Sequence, residues 1–277
     1  MTFLLMATSL QDTFAQDTTF QVLAVDGDVQ VKRAQAWLAL EAGQSLSRGD
    51  MLKLNEGAYL GMVHHTGHTL AIDKKGTYEV DQLSSELGRQ KLNFASKYSQ
   101  LYVSMLNNSS ASTTNLERST VNSALNVYLP NSVDVFNDEV IIRWNDEDQL
   151  DGKYEVKLKN MFNEVLDVQE VAGSKTSLNF KNEKISSERL IIVSVNSKDF
   201  KDQKSSDYGM KQLTPEEAEP IARELSELKL EVSDDQSALD KLILASFYEQ
   251  NSLLADALTS YERAIDLAPN VDAFRKA

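Results

Sequence analysis

Between Phe20 and Leu83 apolar and polar residues alternate in short runs, and turn residues recur about every eight to twelve positions, the pattern of short antiparallel strands. Gln21-Val22-Leu23-Ala24-Val25 and Val29-Gln30-Val31 flank Asp26-Gly27, which predicts a tight hairpin there. Thr66-Gly67 predicts a second hairpin, between Tyr59-Leu60-Gly61-Met62-Val63 and Thr69-Leu70-Ala71-Ile72. Trp37-Leu38-Ala39-Leu40 and Met51-Leu52-Lys53-Leu54 read as further strands, and Gly43, Gly49 and Gly57 fall where the chain must reverse. Over 84–106 the period lengthens: Leu87, Phe94, Tyr98, Leu101 and Met105 mark an amphipathic helix whose apolar stripe is expected to lie on the preceding β domain.

Residues 107–125, rich in Ser, Thr and Asn, read as a linker. Strand character returns over 126–200, in Val133–Phe136, Val140–Trp144, Tyr154–Leu158, Val165–Val168 and Leu190–Val195, with a turn at Asp151-Gly152. Short strands, regular turns and Trp144 as a core candidate suggest a small sandwich of the fibronectin type III kind. After a polar joint, 212–277 turn helical. Thr214-Pro215-Glu216-Glu217 supplies a capping hydroxyl, a proline at the first helical position and a glutamate three residues after the cap. Two more helices are expected, about 236–250 and 253–267, joined by Asn251-Ser252. The fold class that follows is multidomain and mainly β in its N-terminal and middle domains, with an α-helical C-terminal hairpin.

Charge narrows the partners. The 277 residues carry 42 acidic and 28 basic side chains, a formal charge of −14 that repels phosphate backbones and anionic lipid, so neither nucleic acid nor direct membrane insertion is expected. The chain has no cysteine, which excludes disulfides, thiolate metal sites, cysteine nucleophiles and lipid attachment through that residue. Residues 1–16, with Phe3-Leu4-Leu5-Met6 running into Thr13-Phe14-Ala15, resemble the tail of a secretory signal peptide and imply a periplasmic or secreted bacterial protein. No stretch approaches the roughly 18 apolar residues of a membrane span.

Within 20–83, Val25-Asp26-Gly27-Asp28-Val29, the Trp37 strand, Gly43, Leu46, Gly49-Asp50, Gly57-Ala58 and the Gly67 hairpin occur in an order that resembles the FecR domain of iron-dicitrate regulators. In those regulators the domain lies outside the inner membrane and relays a receptor's state to a cytoplasmic anti-sigma segment. These residues include neither such a segment nor a span, so the resemblance implies a binding module. The C-terminal helices resemble one tetratricopeptide repeat through Leu244, Ala245, Tyr248, Ala257, Tyr261, Ala264 and Pro269, with Lys241 as a departure where a large apolar residue is usual. A single repeat cannot bury both its faces, so an apolar face is expected either to lean on a neighbouring helix, such as the one starting at Pro215, or to receive a partner.

Candidate chemistry is sparse. The three histidines, His64, His65 and His68, cluster on one turn, where His65 and His68 would face each other and could share a zinc-like ion; the expectation is an exposed polar turn instead. Asn145–Asp151 is dense in carboxylates but lacks calcium-loop spacing, and reads as a solvated loop. No phosphate-binding loop, nucleophile elbow or zinc-protease motif occurs, so neither catalysis nor a cofactor is expected. The reading is a non-enzymatic scaffold binding other envelope proteins. The alternative is a ligand sensor binding polysaccharide through Trp37 or Tyr59, which requires both rings to face solvent on one surface.

Overall fold

The computed structural model describes residues 18–111, 125–145, 152–200, 202–232 and 237–276. The signal-like segment 1–16 and most of the linker 107–125 lie outside them, as do residues 146–151 of the acidic run. The first module contains β1 (Thr18–Asp26), β2 (Val29–Arg33), β3 (Ala36–Ala39), β4 (Ser45–Ser47), β5 (Met51–Leu54), β6 (Tyr59–His64), β7 (Thr69–Ile72) and β8 (Gly76–Glu79). They form two antiparallel sheets, ordered β4-β1-β6-β7 and β3-β2-β5-β8, around a shared core that includes Phe20, Val31, Leu46, Leu52, Leu60 and Met62.

Asp26-Gly27 is not a hairpin. β1 and β2 belong to different sheets, and Gly27, at φ +70°, turns the chain from one layer to the other; a side chain there would stand 3.1 Å from the Ala58 Cα. Positive φ is shared by hairpins and by sheet-to-sheet corners, so the local signal does not separate them. The two sheets also differ in exposure. The β5 pattern alternates, as in a sheet with one wet face, whereas β6 is buried at five consecutive positions because helices cover the far side of its sheet.

The helical period of 84–106 resolves into two helices, α1 (Val80–Glu86) and α2 (Asn93–Ala111). The second module holds β9 (Ser132–Val135), β10 (Glu139–Arg143), β11 (Lys153–Lys159), β12 (Val165–Ala172), β13 (Lys175–Asn179), β14 (Leu190–Ser197) and β15 (Tyr208–Gln212). The sheet β12-β11-β14-β15-β9 and the pair β10-β13 contribute to one core, where Trp144 meets Tyr154 edge-on at 5.3 Å between ring centroids. β15, which the sequence did not mark as a strand between the polar joint and the helical region, belongs to this module: it pairs parallel to β9 and buries Tyr208 and Met210.

Four helices close the chain: α3 (Pro215–Glu231), α4 (Ala238–Gln250), α5 (Leu254–Leu267) and α6 (Ala273–Lys276). α3 starts with the complete capping box: the Thr214 hydroxyl accepts from the Glu217 amide, and the Glu217 carboxylate accepts from the Thr214 amide. α4 is buried at every position from Ala238 to Tyr248, as a helix apolar on most sides must be. It packs antiparallel to α5 and also against α2, while α5 lies on β9 and β10. Gly61, in the middle of β6, lets α4 approach the first module, since a side chain there would come within 2.4 Å of Leu239. The result is a mainly β molecule of antiparallel sheets plus six helices among the described residues, with helices packed against both β modules. None of these helices is long and apolar enough to cross a membrane.

Candidate functional site

The histidine turn is partly covered. His64 and His68 face each other across the hairpin mouth, the His64 amide donating to the His68 carbonyl at 2.8 Å, so the expected pairing of His65 with His68 is displaced by one residue. The Thr66 hydroxyl lies between their rings, 2.7 Å from His64 Nδ1 and 3.0 Å from His68 Nδ1. His64 Nε2 reaches the Ser84 hydroxyl at 2.9 Å, and its ring meets Phe20 edge-on. Both nitrogens of this buried imidazole therefore have partners inside the fold. Burial, with smaller contributions from His65 and His68, lowers its pKa to about 4. The turn is not a free tip: Gly67 is buried under the lead-in to α2, and the Leu92 amide donates to the Thr66 carbonyl at 2.5 Å. Of the three histidines only His65 is exposed, and among the described residues no group of three or more His, Asp or Glu side chains is arranged to hold a metal ion.

The repeat-like residues lie inside the molecule. Leu244, Ala245, Tyr248, Ala257 and Ala264 are buried, Tyr261 is half-buried, and Pro269 sits exposed in the turn after α5. The apolar surface that a lone helical hairpin would offer is occupied by α2, by α3 residues Leu225 and Leu228, and by Leu23 and Val63 of the first module. α2 accordingly does more than lie on its own β domain. Its Tyr98 packs edge-on against Phe247 of α4, and the Tyr98 hydroxyl donates to Glu224 of α3 at 2.5 Å. Lys97, within 2.7 Å of the same carboxylate, helps hold Glu224 below its ordinary pKa.

A set of polar side chains on α5 fastens the second module. Asp256, fully buried, accepts from the Phe136 amide at 3.0 Å, the Asn137 amide at 2.9 Å and Asn137 Nδ2 at 2.6 Å. One turn on, the Thr259 hydroxyl accepts from the Ile141 amide at 2.8 Å, occupying a donor of β10. Buried Glu262 meets Arg143 at 2.6 Å and Lys175 at 3.0 Å, and Lys175 also reaches Asp266. Sequence reasoning missed Asp256 and Glu262. For Asp256 the visible signal was a carboxylate within the apolar run Leu253–Ala257, where a charge must either be exposed or find partners; Glu262, beside Arg263, carried no such signal.

Of the two rings considered for polysaccharide, only Trp37 faces solvent. It is 40% exposed on β3, beside Leu38 at 49%. Tyr59 packs edge-on against Phe274 of α6, and burial, aided by Asp73 and Asp240, pushes its hydroxyl up to about 12. The rings do not form one surface. A second apolar display, which sequence reasoning also missed, is the β11–β12 tip, where Met161 and Phe162 are exposed. Buried Asn160 builds this tip: its Oδ1 accepts from the Phe162 and Glu164 amides, both at 3.0 Å. Compared with known proteins, the chain matches no family model, no curated protein and no solved structure.

Proposed function

We propose that this chain is a non-enzymatic interaction scaffold of a bacterial envelope, in which a helical centre holds two β modules in fixed relation and their outer surfaces receive partners. The observation that carries this reading is where the strongest polar groups go. Asp256, Thr259, Glu262, Glu224 and Tyr98 bond from one element to another. Exposed large apolar side chains cluster on β3 and on the β11–β12 tip, with single ones elsewhere, such as Leu230 of α3 and Leu267 of α5. Support for the compartment comes from the signal-like residues 1–16 and from the FecR-like order of residues in 20–83. The helical hairpin, with its faces covered, serves as the internal brace rather than as the docking groove.

The test places a photo-crosslinking amino acid at Phe162, and separately at Leu38, in the producing cell. Crosslinks to a small, reproducible set of envelope proteins are expected from at least one position. Adducts to none, or turnover of a substrate by the purified chain, would overturn the scaffold reading. The polysaccharide alternative retains Trp37 alone, since the Tyr59 ring is engaged with Phe274.

A further inference from the structure

The edge strand β3 combines three features that point to one kind of ligand. It ends its sheet, and all four of its side chains are exposed. The Leu40 amide donates to the Val29 carbonyl at 2.9 Å, and β3 pairs with β2 in the register Val31↔Leu38 and Lys32↔Trp37. Antiparallel alternation then turns the backbone N–H and C=O groups of Leu38 toward β2 and those of Trp37 and Ala39 away from the sheet. Those groups form a template for one more strand.

The second feature is charge. Lys32 and Lys53 place their ammonium groups each 5.9 Å from the centroid of the Trp37 ring. Among the described residues neither lysine is paired with a carboxylate, in a chain whose formal charge is −14. The third feature is that apolar surface lies on both sides of the strand: Trp37 on the outer face with the lysines, and Leu38 on the opposite face.

We infer that β3 is a docking strand for an extended acidic peptide segment, which adds to the sheet with alternate carboxylates over Lys32 and Lys53. The inference rests on the scaffold reading and names one of its surfaces and the partner chemistry. An anionic polysaccharide could stack on Trp37 and pair with the lysines, but it would leave Leu38 and the outward backbone groups uncovered. A second copy pairing β3 to β3 would bring two sets of lysines together, which like-charge repulsion opposes.

The test selects phage-displayed random dodecapeptides on the full chain. Peptides with Asp or Glu at alternate positions are expected, and a synthetic consensus peptide should bind at least about tenfold more weakly to the double variant Lys32→Glu/Lys53→Glu. Ala39→Pro removes an N–H that faces away from β2, so it should weaken the peptide comparably while circular dichroism stays unchanged. Selection without acidic bias, or acidic peptides that bind the charge-reversed chain as well as the original, would overturn the inference. So would polygalacturonate binding that is lost on Trp37→Ala and kept on Ala39→Pro. Crosslinked partners at Phe162 together with no acidic selection on β3 would sink this inference alone and leave the scaffold reading standing.

Discussion

His64 is a buried titratable side chain of the first module. Held between Thr66, Ser84 and Phe20, it stays neutral down to about pH 4, whereas an unfolded imidazole takes its proton near 6.5. Above pH 6.5 neither state is protonated at this ring, and stability is unaffected by it. As pH falls from 6.5 toward 4 the unfolded chain binds the proton first, so folding loses up to about 1.4 kcal/mol per pH unit from this group. Urea titrations across that window should give a shallower pH slope for His64→Gln than for the original chain; equal slopes would show that the ring titrates normally. The sequence showed the cluster of three histidines but not which would be buried. That is set by Ser84 and by Leu92 of the α2 lead-in, residues 20 or more positions away in the chain.

At the scale of elements, local rules read well where their partners are local. The capping box at Thr214 and Glu217 needed only four consecutive residues, and both of its bonds form. α2 has no such signal at its start. Its first amides, from Asn93, Phe94 and Ala95, donate instead to the Glu231 carboxylate at 2.9, 2.6 and 2.9 Å. That side chain sits at the end of α3, and its charge also faces the positive end of the α2 dipole. Glu231→Ala should cost about 1–2 kcal/mol in urea unfolding, the loss of a good N-cap, and Glu231→Gln distinctly less. A change below 0.5 kcal/mol for the alanine variant would mean the cap adds little beyond solvation. The cap could not be read in advance because donor and acceptor are separated by 136 to 138 positions. The β1–β2 corner at Gly27 failed to be legible for a related reason: its glycine states that the chain turns, while the sheet each strand joins is decided by distant pairing with β4, β5 and β6.

Over the whole molecule, the brace predicts cooperative behaviour. α4 and α5 share buried surface with both β modules, so calorimetry of the full chain should show a single transition rather than two. Asp256→Ala, which leaves three part-buried donors without their acceptor, should lower that transition as a unit, by about 1–3 kcal/mol. Two resolved peaks, only one of them shifted, would show that the modules melt independently. For the same reason a chain cut near Lys211 is a poor probe of partner binding, because it uncovers Leu23, Val63 and the α5-facing edge of β10. The alternation of strands such as β5 and β11 was legible because each period reports one wet face. The helices over 236–250 and 253–267 were legible as well, but not that α4 would lie at the centre, buried almost all round.

The placement of α4 also bears on how the protein is made. The helix that fills the middle emerges from the ribosome after both sheet modules and after α2 and α3, so each of those must wait with an open flank until residue 250 has been synthesised. Nascent chains shorter than this should be the form that chaperones hold and proteases clip.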